Sequence, residues 1–69
     1  MVVEIGTLLR FVDESGNLMR VVGIEYDEYS VLDLVENESY TLYADEIFET
    51  KEMAMKAKDN SCAAYITKE

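Results

Sequence analysis

The chain reads as a single small α+β domain over residues 1–69: an antiparallel sheet of about four or five short strands, curled into a small barrel or half-barrel, with one helix packed near the C-terminus. Three observations predict this. Short runs of β-branched and large apolar residues within about residues 4–49 are interrupted at close intervals by turn-forming clusters. A capped, helix-favouring segment follows over about residues 51–59. With 69 residues and 49% apolar content, the chain supports one core and no second domain.

The first strand is expected between Glu4 and Val12, where Ile5, Thr7, Leu9 and Phe11 share a face at period two. Asp13-Glu14-Ser15-Gly16-Asn17 forms a turn, with Gly16 free to take positive φ. Leu18–Glu25 gives a second strand, with Leu18, Val22, Ile24 and Tyr26 on one face and Arg20 among them; Gly23 marks a bulge or bend. Asp27-Glu28 separates it from a third strand over Tyr29–Val35, Glu36-Asn37-Glu38 forms a polar tip, and Ser39–Tyr43 makes a fourth strand. Thr50 caps the helix, Glu52 complements the positive end of its dipole, and Lys56 and Lys58 complement the other. Met53, Ala54 and Ala57 are expected to face the sheet, with Phe48 anchoring the start of the helix. Cys62–Thr67 is either a last short strand or another helical turn, which periodicity does not decide.

Charge is the feature that bears on function. Fifteen acids face six bases, a formal net of −9. Residues 1–24 are nearly balanced, as are residues 50–69, whereas residues 25–49 hold Glu25, Asp27, Glu28, Asp33, Glu36, Glu38, Asp45, Glu46 and Glu49 with no base. So few and scattered bases leave no basic footprint for direct nucleic-acid binding. Anionic lipid would repel such a surface, and no apolar run is long enough to span a membrane. The single Cys62 closes no intrachain disulfide, and no positively charged leader precedes an apolar run, so a reduced cytoplasmic protein is expected.

Catalytic chemistry is not expected. Histidine is absent, Cys62 has no imidazole to activate it, and the three glycines are isolated at positions 6, 16 and 23 rather than gathered in a phosphate loop. Asp13-x-Ser15-x-Asn17 begins like a calcium loop but has Leu18 where glycine is required and Ile24 where glutamate is required. The acid pairs Asp27/Glu28 and Asp45/Glu46 read as solvated carboxylates, and neither metal nor cofactor is expected. A domain this small buries only about 60% of its unfolded surface, leaving little interior for a substrate pocket.

A partner with a basic surface fits the acidic block. A compact chain of this length has a radius of gyration of about 11 Å and a width near 28 Å. Nine charges correspond to roughly 15 Å of duplex DNA. Glu25 with Asp27, and Glu36 with Glu38, fall about 6.6 Å apart on one face if their backbone is extended. Tyr26, Tyr29, Tyr40 and Tyr43 lie in the same block, and tyrosine is a frequent interface anchor. Tyr26 and Tyr40 are expected to pack inward, leaving Tyr29 and Tyr43 as contact candidates. The candidate partner-binding set is therefore Glu25, Asp27, Glu28, Tyr29, Asp33, Glu36, Glu38, Tyr43, Asp45 and Glu46.

In its strand spacing and appended helix, the stretch from about residue 4 to 58 resembles the SH3-like small barrels. The absence of Trp argues against the proline-peptide groove of ligand-binding SH3 domains. The acidic block over 25–49, in a small domain without catalytic residues, resembles the DNA-mimicking anti-CRISPR inhibitors of phages and mobile elements. That resemblance is one of composition. It implies a protein that occupies the nucleic-acid-binding channel of an effector and transfers no individual residue. The alternative is a small regulatory or scaffold module whose acidity serves solubility.

Overall fold

In the computed structural model, which describes residues 3–12, 16–57 and 63–67, the chain forms β1 (Leu8–Phe11), β2 (Leu18–Glu25), β3 (Glu28–Asp33), β4 (Ser39–Tyr43), a single 3-10 turn (Ala44–Glu46), β5 (Ile47–Phe48), α1 (Lys51–Lys56) and β6 (Ala64–Ile66). The strands make one curled six-stranded mixed sheet in the order β4-β3-β2-β1-β6-β5. All neighbours are antiparallel except β5 and β6. This is an α+β half-barrel with six strands where four or five were expected, and the helix is followed by a further strand. The radius of gyration is 10.7 Å, close to the value expected from length.

The core lies on the concave face, where Leu9, Met19, Val21, Val31, Leu42, Ile47 and Ala64 are buried and Val3, Phe11, Tyr29 and Ile66 pack against them. Cross-strand register aligns these residues: Leu9 opposes Met19 and Ile66, Val21 opposes Val31, and Leu42 opposes Tyr29. The curl is visible in one contact. β2 and β3 separate Phe11 of β1 from Tyr40 of β4 in the sheet, yet their rings meet edge to face at 5.8 Å. Edge-to-face packing suits the aromatic quadrupole.

Three expectations about faces and ends are corrected by this arrangement. β2 buries Met19 and Val21, not Leu18, Val22, Ile24 and Tyr26. Both of its faces carry apolar residues, so alternation alone does not choose between them. The bulge at Gly23 is present and shifts the register between Val21 and Gly23, so residues beyond it no longer share the phase of those before it. β1 begins at Leu8 because Gly6, at φ +96°, turns the chain, leaving Ile5 62% exposed. β3 stops at Asp33 rather than Val35: its carboxylate accepts hydrogen bonds from the N–H groups of Val35 (2.8 Å) and Glu36 (2.9 Å), which draws the chain into a turn.

The helix starts where the capping chemistry places it. Thr50 Oγ1 accepts the Met53 N–H at 3.2 Å. It ends at Lys56 with Ala57 as its C-cap, and buries Ala54 alone, while Met53 and Ala57 are exposed. Phe48 pairs with Tyr65 in the β5–β6 ladder, and β5 contacts α1. The C-terminal segment resolves as a strand: β6 inserts between β1 and β5. Asp13, Glu14, Ser15 and Cys62 lie outside the described residues, as do residues 58–61 of the expected helix end. Gly16 takes the anticipated positive φ, at +52°.

Candidate functional site

The acidic block runs from the end of β2 through β3, β4, the 3-10 turn and β5, and, apart from Glu49 beyond β5, its carboxylates divide between the two ends of the β2–β3–β4 meander. At one end, β2 and β3 join through the two-residue loop Tyr26-Asp27, with Glu25 directly opposite Glu28. Tyr43 opposes Glu28 on the next strand, and the Ala44 N–H donates to the Asp27 carbonyl at 2.9 Å. Asp45 and Glu46 therefore follow immediately beside the same tip. At the other end lie Asp33, Glu36 and Glu38, around the loop that joins β3 to β4. The length of β3 separates Glu28 from Asp33 by about 17 Å. Glu25 and Asp27, and likewise Glu36 and Glu38, flank turns and are not in one extended strand.

Of the candidate residues, Glu25, Asp27, Glu28, Tyr43, Asp45 and Glu46 gather at the hairpin tip. Glu36 and Glu38 stand at the far turn. Asp33 and Tyr29 are withdrawn from the surface set. Asp33 is only 4% exposed and its side chain is committed to the fold: beyond the two main-chain N–H groups, it accepts from Asn17 Nδ2 at 3.1 Å. The Glu36 N–H bond, with lesser help from Asn17 and Val35, holds its carboxyl below the ordinary value of 3.8 against the opposing effect of burial. Its main chain closes the same turn, accepting the Asn37 N–H at 2.8 Å and donating to the Glu38 carbonyl at 2.7 Å. Asn37, at φ +60°, takes the left-handed position that asparagine tolerates. Tyr29 packs on the core because it shares the inner face with Val31.

The tyrosines distribute differently from the sequence expectation. Tyr40 lies on the inner face opposite Val31, with its ring against Phe11, but stays 37% exposed because β4 is at the edge of the sheet. Its hydroxyl donates to Glu38 at 2.9 Å, and that carboxylate bond raises the phenol pKa. Tyr26 does the opposite of packing inward: it is 94% exposed at φ +59°. A strand period carried through the bulge and into the loop misplaces it. The sequence signal for its exposure is its place between Glu25 and Asp27-Glu28, a run suited to a tight turn. A bulky residue at positive φ is uncommon and costs on the order of 1–2 kcal/mol. Strain of this kind concentrates at functional positions.

Glu46 has a structural duty as well, accepting the Tyr43 N–H at 2.9 Å. Among the described residues, no three carboxylate or thiol side chains converge with metal-ligating geometry. No helix among them is long and apolar enough to cross a membrane. Comparison with protein-family models, curated proteins and solved structures finds no match to this chain.

Proposed function

We propose that this chain is a non-catalytic, acidic protein-binding module that docks on a basic surface of a nucleic-acid-handling protein and occupies it in place of nucleic acid. On this reading the curled sheet is a small-barrel scaffold of the SH3-like kind, which binds through a loop and an edge rather than an aromatic groove. The observation that carries the reading is the hairpin tip. Glu25 and Glu28 oppose one another across the ladder, Asp27 lies between them, and residues 25–49 supply no base to relieve the repulsion. Like charges directly opposite destabilise a sheet. A cationic partner surface removes that cost on binding and gains from Tyr26 and Tyr43 as exposed contact area.

The test is capture by the immobilised protein from lysate of the organism that encodes it, at low and high salt, followed by displacement with a DNA or RNA duplex. The expected outcome is a nucleic-acid-binding protein that salt and duplex both release, and that the triple variant Glu25→Lys, Asp27→Lys, Glu28→Lys no longer captures. Salt-insensitive capture that survives the triple variant overturns the reading in favour of a regulatory or scaffold module. One observation favours that second reading: Val35 (69% exposed) and Leu34 (38% exposed) stand at the far turn beside Glu36, offering apolar contact there.

A further inference from the structure

The sheet is open, and β4 is one of its two edges. The direction of its free hydrogen-bonding groups follows from the bonds at its two ends. Glu38 C=O accepts from Asp33 N–H, and Ala44 N–H donates to Asp27 C=O. Both bonds point toward β3. Main-chain groups alternate sides along a strand, so Tyr40 and Leu42 also bond toward β3, while those of Ser39, Thr41 and Tyr43 point away from the sheet. Glu46 takes the outward Tyr43 N–H. The Tyr43 C=O, at the N-cap of the 3-10 turn, accepts the first bond of that turn. No other described group bonds the remaining outward donors and acceptors, namely the N–H and C=O of Ser39 and Thr41. Ser39, Thr41 and Tyr43 are all exposed. The strand Ser-Tyr-Thr-Leu-Tyr also lacks the devices that usually protect an edge: it contains no lysine, proline or bulge.

We infer that the β4 edge is a docking site for an extended basic segment of a partner protein, which adds to the sheet as a seventh strand. Main-chain bonds to Ser39 and Thr41 supply the attachment. The flanking carboxylates, Glu36 and Glu38 at one end and Asp45 and Glu46 at the other, select lysine or arginine on either side of a short neutral centre. A second copy of this chain is the wrong occupant. Antiparallel pairing of two β4 edges about Thr41 brings Glu36 and Glu38 of one copy to the Asp45–Glu46 end of the other, with no base in the block to offset them. The choice of a basic partner rests on the function proposed above; pairing through the main chain is an independent claim.

A synthetic peptide Lys-Lys-Val-Thr-Val-Lys-Lys serves as the probe, with two variants of identical charge. One is N-methylated at the central Thr, the other at both Val residues. Strand addition orients one of these sets toward β4 and the other toward solvent. One methylated peptide should therefore lose at least roughly tenfold in affinity and the other should bind like the parent. Thr41→Pro removes an outward N–H without touching the β3 ladder or any carboxylate, a position where an edge strand tolerates proline. It should weaken the parent peptide by a similar factor while circular dichroism remains unchanged. Equal, salt-sensitive binding of all three peptides overturns strand addition and leaves the acidic docking surface standing. Absence of binding at low salt overturns strand addition and counts against the basic partner as well. Concentration-dependent dimerisation in sedimentation overturns the assignment of the edge to a partner strand.

Discussion

At the scale of single residues, the acids of the central block are not equivalent. Asp33 is a fold-forming carboxylate whose hydrogen bonds organise the β3–β4 turn, and Glu46 caps a strand N–H. Glu25 and Glu28 instead face one another across the ladder, with Asp27 between them. Asp33 also carries a pH signature. Its folded pKa is lowered, so its stabilising contribution is fully present above the ordinary value of 3.8 and is lost as pH falls below that through the folded pKa. Asp33→Asn should lower stability at neutral pH, and the gap to the parent protein should close as pH drops below 3.8, followed by urea unfolding at stepped pH. A gap that persists unchanged at the lowest pH would show that the carboxylate is not the group responsible. Fifteen acids look alike in composition; what distinguishes this one among the described residues is the pair of N–H groups held at 2.8 and 2.9 Å from it.

At the scale of elements, turn and cap chemistry is legible in the sequence, whereas strand faces are not. Thr50 as a helix cap, the bulge at Gly23, the positive φ of Gly16 and the span of β4 all follow from local residue preferences, and all are present. The inner face of β2 follows from its neighbours, because Leu9 and Asp33 on the flanking strands place Met19 inside, and Val31 places Val21. Met19→Ala should cost about 2–5 kcal/mol, the usual loss for a large core side chain. That is a large share of the few kcal/mol by which a domain of this size is stable. Val22→Ala, at a nearby but 48% exposed position, should change stability by no more than about 0.5 kcal/mol. Denaturant midpoints of the two variants compare them directly; similar losses would contradict the observed register. β5 is not legible in the sequence because two residues are too short for any periodic signal, and because its parallel pairing with β6 joins segments well separated along the chain.

At the scale of the whole molecule, the net charge of −9 acts on stability and on binding in opposite senses. Self-repulsion in a particle of 26 × 26 × 22 Å is substantial where the Debye length is long and is mostly screened near 0.15 M salt, where that length falls to about 8 Å. The melting temperature should therefore rise between roughly 10 mM and 500 mM sodium chloride, while affinity for a basic partner falls over the same range. A melting temperature that falls with added salt would mean that attractive pairs outweigh the repulsion. The division of the block into a hairpin tip and a far turn has a further consequence. Its charge does not form one continuous face; it brackets the β4 edge at both ends.

From sequence alone came the α+β class, the concentration of charge in residues 25–49, the turn positions and the helix cap, because each depends on residues close together in the chain. Tertiary structure alone decided which face of β2 is buried and that Asp33 and Tyr29 are withdrawn from the surface. It also decided that β6 enters the sheet between β1 and β5. These are matters of register between segments distant in sequence, and a strand with apolar residues on both faces does not specify its register until its neighbours are in place.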